Sequence, residues 1–145
     1  MSPRRSVKPT PVTVVKQRKD WDCGVAALAM VLRKPYGDIS HAVRLTIPVL
    51  PKRGLGLYHL ERLARHFGHT FRRIYKSRGY LTRFKGVGIL GVEGAQFAWS
   101  GHWVVIKDGV VLDPDPDPDD NHVYRLEKYL RVYKAKPLTL LWLEH

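Results

Sequence analysis

QRKDWDCGVAALAMVL, residues 17–32, carries the chain's only cysteine, Cys23, at the front edge of an apolar run and six residues after Gln17. Val25, Ala26, Leu28, Ala29, Val31 and Leu32 spread apolar groups around a helix. Asp20 or Asp22 is available to cap its start, and Lys34-Pro35 ends it. Two readings of Cys23 are open. Taken alone, it is a small buried hydrophobe. In the first turn of a helix, where the positive end of the dipole favours an anion, it is also a candidate thiolate nucleophile.

HWVVIKDGVVLDP, residues 102–114, is the second informative stretch. Asp108-Gly109 between two β-rich runs predicts a two-residue hairpin, because a type I′ turn needs positive φ at both positions. Setting Lys107 opposite Val110 places Ile106 across from Val111 and Val105 across from Leu112. Alternation by two then puts His102, Val104 and Ile106 on one face with Val111 and Asp113. His102 becomes the diagonal neighbour of Asp113 at the open end of the hairpin, close enough for a carboxylate to orient an imidazole. Cys23, His102 and Asp113 thus supply a nucleophile, a base and an orienting acid. The Gln17 amide and the Cys23 backbone N–H would be two donors for a developing oxyanion, if the loop folds Gln17 back over the helix start.

Gln17, five residues, then Cys23 opening a helix, with His102 and Asp113 much later, resembles a papain-like cysteine peptidase. More closely, DCGVAALAMVL, GLGLYHLERLARHFG and GHWVVIKDGVVLDP resemble the peptidase domain that removes double-glycine leader peptides in bacteriocin processing and export. The likeness runs over about residues 13–115. It implies a papain-like fold, Cys23 as nucleophile, His102 as base, Asp113 as orienting acid and Gln17 in the oxyanion hole. It also implies a peptide or protein substrate with small residues such as Gly-Gly before the cut. An isopeptide bond, or transfer of the acyl group to an amine, fits the same chemistry. The chain departs from the pattern where PDPDPDD follows Asp113, so Asp115 competes for the third position. It also carries no transporter segment. Trp21 and Trp103 flank the nucleophile and the base, as walls of a substrate groove or as packing.

The remaining elements predict an α+β fold, a nucleophile helix packed on a C-terminal antiparallel sheet. Residues 57–69 read as the clearest amphipathic helix, with Leu57, Leu60, Leu63, Ala64 and Phe67 on one side and Gly68 as its stop. Residues 38–43 read as a short helix, 70–75, 87–92 and 138–143 as strands, and 123–132 as a helix. Residues 1–12 read as an extended basic arm on a single domain covering 1–145.

With 145 residues and 44% hydrophobic content, the chain has enough apolar mass for a real core. One cysteine excludes an internal disulfide and a multi-cysteine zinc site. No cofactor or metal is expected, since His59, His66 and His69 lack an obvious carboxylate or thiol partner. With neither a signal peptide nor a membrane-length apolar run, the expected location is cytoplasmic. The net charge of +12 is uneven: residues 1–19 hold six basic groups and no acid, and five of 13 acids crowd into 113–120. Such a balance points to an anionic partner, nucleic acid or an acidic protein. A rival to the peptidase is therefore a basic binding module in which the peptidase-like fold is catalytically unused.

Overall fold

The structure, a computed structural model, describes residues 12–19, 22–49, 54–75, 78–81, 83–94 and 101–144. Asp20, Trp21 and the basic arm up to residue 11 lie outside the described residues.

Helix α1 spans Cys23–Leu32, and every residue from Gly24 to Leu32 is buried. A helix apolar on all sides belongs in the middle of a core. Here α1 lies against α2 (Tyr36–Thr46), α3 (Leu57–His66) and the sheet. It ends when Arg33 turns into the left-handed region at φ 54°, and Pro35 then stands at the N-cap of α2. The second helix is longer than the 38–43 stretch expected, because a helix's first amides need no intrahelical partner and tolerate Pro35 just ahead of them. Asp22 occupies the N-cap of α1 as expected, but its side chain makes no capping bond.

The amphipathic helix α3 buries Leu60, Leu63 and Ala64. Its entry is closed by the Gly56 N–H donating to His59 Nδ1 at 3.0 Å, and Gly68 leaves it at φ 83°.

The strands are β1 (Thr70–Ile74), β2 (Val87–Glu93), β3 (His102–Lys107), β4 (Val110–Leu112), β5 (Val123–Arg125) and β6 (Lys136–Glu144). They form one six-stranded sheet in the order β1-β6-β2-β3-β4-β5, with every neighbouring pair antiparallel. The β3–β4 register is Lys107 to Val110, Ile106 to Val111 and Val105 to Leu112, through Asp108 at φ 49° and Gly109 at φ 83°. Two positive φ values are what a type I′ turn requires.

Residues 123–132 correct the expected helix. Val123–Arg125 pairs with β4 as a strand, and only Leu126–Val132 is helical, as α5. Val-Tyr-Arg has strand character, and the open edge of β4 offers its backbone a ladder that an isolated helical turn lacks. A further short helix, α4 (Arg78–Leu81), had no signal in the sequence.

Strand alternation sorts the core into two clusters. Ile89, Val105, Leu112, Leu141 and Leu143 pack with α1, α2 and α3. Leu90, Val104, Ile106, Val111 and Leu140 pack with Leu81 of α4 and with Leu126 and Tyr129 of α5. The fold is α+β, with the cysteine-bearing helix on one face of an antiparallel sheet.

Candidate active site

Cys23 is the first residue of α1, a free and half-buried thiol. As the first helical residue it carries a backbone N–H with no carbonyl of its own helix to meet. His102 opens β3 and hydrogen-bonds Cys23 on one side. On the other, His102 Nε2 lies 2.7 Å from Asp113 Oδ1. The hairpin register makes this contact: Asp113 is the residue after β4, on the face of Val111 and Ile106, one diagonal step from His102. Three side chains from α1, β3 and the end of β4 therefore form a continuous thiol–imidazole–carboxylate chain.

Asp113 is 3% exposed and fully engaged. Its Oδ1 also accepts the backbone N–H of Asp115 at 2.9 Å, and its Oδ2 accepts the Tyr129 hydroxyl at 2.6 Å. Its backbone is held by His122, whose carbonyl accepts the Asp113 N–H at 2.8 Å and whose Nδ1 contacts the Asp113 carbonyl at 2.6 Å. The carboxylate that meets the imidazole is that of Asp113. Asp115 meets it through its backbone N–H.

Burial pulls the His102 imidazole down, but the hydrogen bonds to Asp113 and Cys23 and the two charges overcome it and raise it from 6.5 to about 10. Both partners thus favour the protonated ring.

Gln17 lies before α1, and its backbone N–H donates to the Pro114 carbonyl at 2.9 Å, one residue past Asp113. Its Nε2 donates one hydrogen to the Lys19 carbonyl at 3.0 Å and keeps a second. Its Oε1 is buried without a hydrogen-bond partner among the described residues. An orphaned buried acceptor of this kind costs about 1–3 kcal/mol and tends to survive where function requires it.

The loop that carries Gln17 is shaped by a residue to which the sequence assigned only a cap. The Asp22 carboxylate is fully buried. It accepts the backbone N–H groups of Arg18 and Lys19, at 3.0–3.2 Å, and the Tyr36 hydroxyl. The Arg18 guanidinium lies over the Tyr36 ring at 4.0 Å. Burial and the Asp22 carboxylate push the Tyr36 phenol well up, so it stays a donor. The carboxylate points back along the loop instead of forward into the helix. An acidic residue beside a cysteine was the one clue available.

Trp103 is half-buried, with Nε1 donating to the Leu55 carbonyl at 2.7 Å. Its ring crosses Gly91, its partner on β2, where a Cβ would sit 2.9 Å from Cζ3. It also borders Gly24, next to the nucleophile. Trp21, the other aromatic singled out, lies outside the described residues.

Among the described residues, no helix is long and apolar enough to cross a membrane.

The model of the Peptidase C39 family matches residues 11–112, which includes Gln17, Cys23 and His102 and stops one residue before Asp113. No curated protein matches the chain in sequence. Solved structures share its fold. The peptidase domain of Streptococcus ComA, a bifunctional ABC transporter in a quorum-sensing pathway, superposes with a TM-score of 0.68 at 21% identity, covering 92% of this chain and 98% of that one. A double-glycine-motif protease from an AMS/PCAT transporter, solved with its leader peptide, gives 0.62 at 21% identity, covering 92% and 91%. The ComA peptidase domain of Streptococcus mutans gives 0.64 at 18%, covering 91% and 98%. With residues 11–112 of the 145 matched by the family model, on a papain-like α+β fold, the chain belongs to the Peptidase C39 family of cysteine peptidases.

Proposed function

We propose that this chain hydrolyses a peptide bond after small residues such as Gly-Gly, with Cys23 as nucleophile, His102 as acid and base, Asp113 as orienting acid and Gln17 in the oxyanion hole. The observation that carries the reading is the contact of His102 with Cys23 on one side and with Asp113 on the other, at 2.7 Å. A buried cysteine kept only for packing needs no imidazolium beside it.

In the reaction, the Cys23 thiolate attacks the carbonyl carbon and the carbonyl π pair moves onto oxygen. The free Nε2 hydrogen of Gln17 and the Cys23 N–H receive that oxyanion. The oxyanion collapses, the C–N bond breaks, and the His102 imidazolium gives its proton to the leaving amine. Water then attacks the thioester, His102 takes the water's proton, and the carboxylic acid leaves as Cys23 returns to thiolate. Asp113 holds the ring through Nε2, which leaves Nδ1 for the sulfur and the leaving group. Trp103 and Trp21 are the candidate walls for the residues before the cut. A fold relative solved with its leader peptide supports a peptide as the substrate.

The test is cleavage of synthetic peptides differing only in the two residues before the cut, Gly-Gly, Ala-Ala or Leu-Leu, read by mass spectrometry. Gly-Gly is expected to be cut fastest, and Cys23→Ala to abolish cleavage while keeping its melting temperature. Cleavage that survives Cys23→Ala overturns the reading. So does a wild-type chain that cuts none of the peptides and whose Cys23 alkylates as an ordinary thiol. That last result, joined to steeply salt-dependent nucleic-acid binding, would favour the basic binding module.

A further inference from the structure

We propose that Tyr129 is a positioning residue for the reaction, its hydroxyl holding the second carboxylate oxygen of Asp113 so that the first stays on His102. The inference rests on the cysteine-peptidase reading above and adds a fourth side chain behind the triad.

A carboxylate turns easily about its last bond. One hydrogen bond to His102 fixes a distance but not the plane of the group. Here both oxygens are held: Oδ1 by His102 and by the Asp115 N–H, and Oδ2 by the Tyr129 hydroxyl at 2.6 Å. Tyr129 is fully buried and Asp113 is 3% exposed. A buried oxygen deprived of its donor must find another, and the imidazolium that serves Oδ1 already meets the same carboxylate. Without the phenol, the carboxylate gains by swinging, which spoils the His102 geometry.

Tyr129 is itself braced. Its ring lies 5.3 Å from Tyr124 and 4.9 Å from Tyr133, and the hydroxyls of those two meet at 3.0 Å. Burial, followed by the Asp113 charge, pushes the Tyr129 phenol far up, which favours its role as a donor. The groups facing Asp113 are thus His102 from β3, Tyr129 from α5, the Asp115 backbone and His122. Cys23 stands beyond His102, and Tyr124 and Tyr133 beyond Tyr129. Helix α5 lies within the 123–132 stretch that the sequence predicts as helical, with no residue singled out there. Its inward residue reaches the site from the sheet face opposite α1, and it lies outside the residues that the family model matches.

Tyr129→Phe keeps the ring and removes the hydroxyl. The readouts are kcat and KM on a Gly-Gly peptide across pH, and the pH profile of Cys23 alkylation by iodoacetamide, which needs no substrate. The expected result is a kcat lower by about tenfold to a hundredfold with KM within about twofold, from loss of alignment. The alkaline limb of both profiles should move to lower pH, because a carboxylate that no longer meets the ring squarely holds the imidazolium less well. Tyr124→Phe is the control: it also removes a hydroxyl from the cluster, and should lower the melting temperature while leaving both profiles in place.

A Tyr129→Phe protein that melts earlier but keeps its kcat and its alkaline limb overturns the proposal, as does a limb that moves up. If Tyr129→Phe does not fold, 4-aminophenylalanine at position 129 keeps the ring with a weaker donor. A smaller downward shift of the limb then supports the proposal, and no shift overturns it. If the wild-type chain cuts no peptide yet its alkylation profile moves in Tyr129→Phe, the positioning role stands and the peptidase reading falls.

Discussion

The backbone N–H of Gln17 donates to the carbonyl of Pro114 at 2.9 Å. This bond joins the loop entering α1 to the loop leaving β4. The proposed oxyanion donor and the orienting acid, 96 positions apart in the sequence, thereby share one anchor. Neither half of the site is free to drift relative to the other.

The third member of the proposed triad is separable from its rival by substitution. Asp113→Asn keeps the size of the side chain but removes the charge that faces the imidazolium, and should lower kcat/KM by about a hundredfold or more. Asp115→Ala keeps the backbone N–H that donates to Asp113 at 2.9 Å and should stay within about threefold. Equal losses in the two variants would show that the loop, and not the Asp113 carboxylate, matters.

The imidazolium has a stability signature. Burial lowers the His102 value, but the bonds to Asp113 and Cys23 and their charges lift it from 6.5 to about 10. The folded state therefore holds the proton more tightly than the unfolded chain does. The resulting stability is fully present below 6.5 and is lost as the pH rises through 10. Urea unfolding of wild type and His102→Gln should show a gap that narrows steadily across that window, and NMR titration of the ring should give a midpoint far above 6.5. A constant gap, with a midpoint near the ordinary imidazole value, would mean that the ring is neutral in the folded protein.

Asp22 should matter for both stability and rate. Its buried carboxylate gathers two loop amides and the Tyr36 hydroxyl. Asp22→Ala takes the shared acceptor from three part-buried donors and should cost about 3 kcal/mol, while Tyr36→Phe should cost about 1–2 kcal/mol. Because Gln17 sits on the same loop, kcat should fall in Asp22→Ala by more than the stability loss explains, measured at a temperature where the variant is fully folded. An unchanged kcat would detach the loop from oxyanion binding.

Gly91 should tolerate no side chain. It lies directly opposite Trp103, whose Cζ3 is 2.9 Å from the Cβ position. Gly91→Ala should displace the indole from the Leu55 carbonyl and cost about 1–3 kcal/mol as an overpacked core does. A lower melting temperature and an altered indole fluorescence are the expected signs, and a silent substitution would show that the ring has room to move.

Much of the site was legible because its geometry is local. Asp108-Gly109 permits few turns, a type I′ turn sets one register, and alternation by two then brings His102 and Asp113 together without help from the rest of the fold. Helix α1 was equally plain, since an apolar run of ten residues bounded by Asp22 and Pro35 has one way to hide its surface. The family likeness then paired the two segments.

The cysteine at a helix start, the His–Asp hairpin and the α+β class follow from short stretches of chain alone. Long-range packing is what sets β6 between β1 and β2, makes Val123–Arg125 a strand, turns the Asp22 carboxylate back onto its own loop and brings Tyr129 to Asp113. The physical reason is the range of the interactions. Turn chemistry and periodicity act over a few residues and leave a mark in them. A buried carboxylate takes its donors from whichever element packing delivers, and the identity of that element is a property of the whole core.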